Sequence, residues 1–66
     1  MDELIKHFGT QQKLANALNN RFGTKVSTGH VYYWLKKGIP IKRAKQVELL
    51  TGGEFTRFYL RPDLYN

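Results

Sequence analysis

The sequence predicts an all-α domain of four to five short helices with a helix-turn-helix at its centre. Three observations predict it. Apolar residues recur at helical spacing, as in Leu14, Ala15 and Leu18 and again in Val31, Trp34 and Leu35. Glycine punctuates the chain at Gly9, Gly23, Gly38 and Gly52-Gly53, each following a helical pattern. No stretch alternates with period two for long; only Lys25-Val26 and Glu54-Phe55-Thr56 suit extended chain. With 66 residues and no linker, repeat or low-complexity stretch, residues 1–66 read as one domain.

Each helix has its own start and stop. Asp2 caps a first helix over Glu3 to His7, with Leu4, Ile5 and Phe8 supplying apolar contact before Gly9 ends it. Thr10 is a good N-cap for a second helix from Gln11 to about Arg21, weakened at its end by Asn19 and Asn20 and stopped by Gly23. Ser27 caps a third helix, Thr28 to Lys37, whose last turn carries Lys36 and Lys37 where the helix dipole favours cations. Ile39-Pro40 opens a fourth, which runs to about Leu50. Thr56 caps one last turn, Arg57 to Leu60, before Arg61-Pro62 breaks it.

Composition narrows the partner. Eleven Lys and Arg against five acids give a formal charge of +6 and an isoelectric point near 9.9, which suits a polyanion. Residues 1–33 hold four cations and two acids, and residues 34–66 hold seven and three. The absence of Cys excludes disulfides and thiolate metal sites and is compatible with the cytoplasm. The longest apolar run, Val31 to Leu35, is too short to span a bilayer, and the acidic start Met1-Asp2-Glu3 is no secretion signal.

The third helix carries the chemistry. Val31, Trp34 and Leu35 form its inward stripe, and Gly29, Tyr32, Tyr33 and Lys36 form the opposite one. Two adjacent exposed tyrosines are costly unless something covers them. A tyrosine in a major groove packs on a thymine methyl, or bonds a base edge or phosphate through its hydroxyl. Gly29 gives up helix propensity and lets backbone approach a duplex closely. Gln11 and Ser27 add side-chain donors at the starts of helices two and three, positions that favour anions. Lys36, Lys37, Lys42 and Arg43 around the next corner suit the backbone of one strand. Two readings of the tyrosines stand: both face a duplex, or one packs against the first helix or the C-terminal segment.

Gly9-Thr10-Gln11 with Leu14-Ala15, then Val26-Ser27, Val31 and Trp34, then Ile39-Pro40 and Arg43-Ala44 follow a known pattern. So does the ending Thr51-Gly52-Gly53, Thr56-Arg57, Leu60-Arg61-Pro62-Asp63-Leu64-Tyr65. Together they resemble the Cro-like repressors of lambdoid phages, and most closely the prophage-encoded YdaS-like branch, over residues 8 to 65. The resemblance implies a lambda-repressor-like fold and a cytoplasmic repressor working on operator DNA, as a homodimer on an inverted repeat. It places Thr28, Gly29, Tyr32 and Tyr33 at base-reading positions and Gln11 and Ser27 at phosphate contacts. The chain departs from the pattern in one place. The family passes from helix two to helix three through a tight turn, whereas here Asn19 to Lys25 intervene before Val26-Ser27. The crossing angle is therefore not given by the resemblance. Within the connection Arg21 and Lys25 are further candidates for backbone contact, and Phe22 is expected to fold onto the core. Of the C-terminal apolar residues Phe55, Phe58, Leu60, Leu64 and Tyr65, most are expected to cover the core, and some to form a dimer interface.

Other functions fit less well. Ser27 is the only serine, and His30, one turn away, has no Asp to orient it; no close carboxylate pair or phosphate-binding loop exists, so no enzyme is expected. His7 and His30 are isolated, and no metal, cofactor or small-molecule ligand is expected. The alternative is a protein-interaction module. YdaS-like proteins have been classed as antitoxins, and such a module or an antirepressor would use the Tyr32-Tyr33 face or the C-terminal aromatics. RNA binding is disfavoured because the motif presents a helix rather than an aromatic sheet.

Overall fold

Five helices in the order α1 (Asp2–Phe8), α2 (Gln11–Phe22), α3 (Thr28–Lys37), α4 (Ile41–Leu50) and α5 (Arg57–Leu60) make up the computed structural model, which describes residues 2–64. No strand occurs among the described residues, so neither candidate extended stretch pairs. The all-α prediction holds. The bounds of α3 and α5 are those read from the sequence. α1 differs slightly: Asp2 lies inside its first turn rather than capping it, where a carboxylate still meets the positive end of the dipole.

Local signals act as their chemistry requires. Thr10 Oγ1 accepts from the Lys13 N–H at 3.1 Å, and Thr56 Oγ1 accepts from the Tyr59 N–H at 3.1 Å. Each satisfies an amide that the helix start leaves without an intrahelical partner. Gly23 ends α2 in the left-handed region at φ 67°, a conformation that a side chain would strain. Pro40 stands immediately before α4, where its missing N–H costs nothing.

α2 is the hub. α1, α3 and α4 all pack on it, and α5 packs on α4. Leu4, Leu14, Leu18, Val31, Ile39 and Val47 are fully buried, and Ala15 and Ala44 are buried where a larger side chain would hold the helices apart. Burying such aliphatic side chains contributes about 1.5–3 kcal/mol each before the entropy of ordering is subtracted. Phe22 packs against this core, as expected. Phe55 and Leu60 close it, but Phe58 and Leu64 are exposed, so only part of the C-terminal apolar set serves the core. Tyr65 lies outside the described residues.

The long α2–α3 connection is held by one side chain. Asn19 Oδ1 accepts from the Val26 N–H at 2.7 Å and from Thr24 Oγ1 at 2.8 Å, while its Nδ2 donates to the Val26 carbonyl at 2.9 Å. The carboxamide pairs with Val26 as a neighbouring strand would. It spares Val26 the cost of unpaired backbone groups next to its buried side chain. The second brace lies at the other end of α3. Arg61 Nη1 donates to the Ile39 carbonyl at 2.7 Å, and its Nε and Nη2 hold the Asp63 carboxylate at 3.0 and 2.8 Å. The C-terminal segment is thereby fastened to the α3–α4 corner.

Candidate nucleic-acid interface

α3 is anchored by Val31 and Trp34, both buried, and presents its opposite side outward. On that side Gly29, Tyr32, Tyr33 and Lys36 are all exposed. Tyr32 is 53% and Tyr33 60% exposed, which removes the reading in which one ring packs within the domain. The Lys36 Nζ lies 5.2 Å from the centre of the Tyr32 ring, one helical turn on, within cation–π range. An aromatic surface with a cation beside it therefore stands clear of the scaffold.

Gly29 has no reason within the fold. A Cβ built there would meet only Ser27 Oγ, at 3.6 Å, an ordinary contact, and the residue is helical. The domain gives up about 0.5–1 kcal/mol of helix propensity at a position where its own packing accepts alanine. The space left free is on the outer side.

The start of α3 is closed by a reciprocal cap. Ser27 Oγ accepts from the His30 N–H at 3.2 Å, and His30 Nδ1 accepts from the Ser27 N–H at 3.0 Å. Histidine thus takes the place that Glu or Gln holds in the usual capping box. An imidazole at this position takes the place of a carboxylate at the helix start. Ser27 Oγ also lies 3.2 Å from His30 Nδ1, so a phosphate contact by the Ser27 donor expected from the sequence competes with the cap.

Thr28 is half-buried and its Oγ1 donates to Oε1 of Gln12 in the first turn of α2. Gln12 Nε2 donates in turn to Asn16 Oδ1 at 2.9 Å. The structure thus brings the first turns of α2 and α3 together through Gln12, a residue the sequence reading passed over in favour of its neighbour Gln11. Gln11 is half-buried. Lys25 is exposed in the connection, and Lys36 and Lys37 are exposed in the last turn of α3. Lys42 is exposed on α4, whose close packing is with α2 and α5; Arg43 is half-buried there and donates to Gln46 Oε1 at 2.8 Å.

Charge is divided more sharply than a comparison of halves suggests. All five acids lie at positions 2, 3, 48, 54 and 63, so residues 4–47 hold nine cations and no acid. Of the remaining two cations, Arg57 pairs with Glu48 at 2.6 Å and Arg61 with Asp63 at 2.8 Å. Among the described residues none of the nine forms an ion pair with Asp or Glu. Arg61 holds the Asp63 carboxyl below its ordinary range, chiefly through their hydrogen bond. Tyr59 donates to Glu3 Oε2 at 2.6 Å, and that bond holds the phenol above its ordinary range. Each acid with a partner is therefore matched at the α1, α4, α5 and C-terminal side, and α2 through the start of α4 is left uniformly positive.

Fold and exposed helix define a small all-α helix-turn-helix domain. The chain belongs to the family described as bacterial toxin YdaS, which it matches over residues 1–66. Membership makes it a small protein of the prophage regulator and toxin–antitoxin type, in agreement with the resemblance carried by its motifs. No curated protein and no solved structure matches it. Among the described residues no helix is long and apolar enough to cross a membrane.

Proposed function

We propose that the chain is a cytoplasmic transcriptional regulator that reads double-stranded DNA with α3, acting as a repressor in pairs on an inverted repeat. The observation that carries this reading is the conjunction of an exposed Gly29-Tyr32-Tyr33-Lys36 stripe on α3 with the acid-free span from residue 4 to 47 in which that helix lies. The major groove admits one α-helix, and its base edges suit tyrosine, threonine and close backbone. Thr28, Gly29, Tyr32 and Tyr33 read bases; Gln11, Ser27, Lys25, Lys36, Lys37, Lys42 and Arg43 hold phosphates.

Selection of bound duplexes from a random pool tests it, followed by titration of the selected and random duplexes across a salt series. The expected result is a preferred site with two related halves and binding that weakens steeply with salt, by about 0.9 in logarithmic slope per phosphate neutralised. Lys36→Glu with Lys37→Glu weakens both duplexes alike, because phosphate contacts carry no sequence information. Recovery of no preferred sequence refutes the reading.

The family's description as a toxin favours a second reading, in which exposed Leu49 and Phe58 or the tyrosine face engage a partner protein. It predicts that Tyr32→Ala and Tyr33→Ala leave DNA affinity unchanged while abolishing a protein complex.

A further inference from the structure

The contact between α2 and α3 determines what Thr28 offers a base. Threonine's hydroxyl normally rotates and serves as donor or acceptor as required. Here the Thr28 hydrogen is committed to Gln12 Oε1. The Gln12 amide is held with that oxygen toward Thr28, because its Nε2 donates to Asn16 Oδ1 at 2.9 Å. A reversed amide would turn its N–H groups toward Thr28 and its oxygen toward Asn16. Reversing this polarity requires the carboxamides of Gln12 and Asn16 to turn together; as they stand, the chain runs from Thr28 to Gln12 to Asn16. It leaves the Thr28 oxygen with unshared lone pairs and no hydrogen to give.

We propose that Gln12 is a specificity-determining residue that fixes Thr28 as an acceptor, so that the start of α3 selects a base with an exocyclic amino group. In the major groove those are adenine, through N6, and cytosine, through N4; guanine O6 and thymine O4 are acceptors and meet a lone pair instead. Gln12 acts through Thr28 rather than on the base. Its position on the first turn of α2 makes the docking helix a part of the sequence reading. The inference rests on the proposed DNA-binding role.

The test is a set of binding curves for the full chain on the duplex selected from a random pool. Thr28→Val, which keeps shape and removes the hydroxyl, locates the base pair that depends on it. At that pair the unaltered protein prefers adenine or cytosine by about tenfold over guanine or thymine on the contacted strand. Removing the N6 amino group, by purine in place of adenine, or blocking N4 of cytosine costs the same factor. Gln12→Ala frees the hydroxyl to rotate and reduces the preference at this one pair to about twofold; melting curves recorded alongside keep the comparison to temperatures at which the variant is folded. The two substitutions are non-additive, because both act through one hydrogen. A preference for guanine or thymine at that pair, or one that survives Gln12→Ala intact, overturns the inference with DNA reading still standing. Absence of any selected sequence overturns both.

Discussion

Replacing Asn19 by alanine tests how the recognition helix is held. The side chain makes three hydrogen bonds, two to the backbone of Val26 and one from Thr24, at 2.7–2.9 Å in a part-buried site. Net hydrogen bonds contribute about 0.5–1.5 kcal/mol each, and water reaches part of this site, so the lower half of the summed range applies, about 2 kcal/mol. Alanine's better helix propensity returns about 0.5 kcal/mol. A net loss of about 1.5 kcal/mol remains, a large share of the stability of a 66-residue domain. It lowers the melting temperature by roughly 6–12 °C. Asn19→Asp is the sharper variant. It keeps the one oxygen that accepts from Val26 and Thr24 and replaces the donor to the Val26 carbonyl by a second oxygen, setting two oxygens against each other, so it is destabilised relative to the parent although two of the three bonds remain. Thermal melting by circular dichroism with urea titration of the three proteins measures this. An Asn19→Ala loss below about 0.5 kcal/mol, or an aspartate variant as stable as the parent, refutes the bracing role.

Three further outcomes follow from particular contacts. Gly29→Ala raises stability by about 0.5 kcal/mol in urea titration, since its Cβ meets only an ordinary contact, and weakens binding to the selected duplex at least tenfold. Arg61→Ala frees the Ile39 carbonyl and the Asp63 carboxylate together and lowers stability by about 1–3 kcal/mol, and Arg61→Lys recovers only part because lysine lacks the fork that reaches both. The raised pKa of Tyr59 means that its bond to Glu3 stabilises the fold fully below the phenol's ordinary value of about 10 and loses that contribution as the pH rises above it. Alkaline melts therefore show a decline that Tyr59→Phe removes.

Local chemistry made most of the fold legible. Thr10, Ser27 and Thr56 cap helices because a hydroxyl at that position bonds an amide two or three residues on, and Gly23 and Gly38 end them for steric reasons. These need no knowledge of the rest of the chain. The outward tyrosines were legible for the same reason: their spacing puts them opposite Val31 and Trp34. What stayed hidden was pairing across distance. Asn19 resembles a helix-weakening residue until its partner Val26 is in view, seven positions on. Gln12 and Thr28 are sixteen apart, and sequence gives no reason to prefer Gln12 to Gln11. Arg61 reads as part of an ending motif, although its guanidinium holds the carbonyl of Ile39. The acid-free span is visible in the sequence, but the pairing that sets Arg57 and Arg61 apart from the lysines of α3 and α4 needs the folded chain.

The most direct measurement compares the double variant Tyr32→Ala, Tyr33→Ala with the parent chain on selected and random duplexes, with melting temperatures recorded alongside. Both rings are exposed, so the variant keeps its fold; its preference for the selected site over random DNA falls by about tenfold or more, to what Thr28 and Gly29 sustain, while the lysine-borne background persists. Undiminished discrimination between the two duplexes in the absence of both rings contradicts the account.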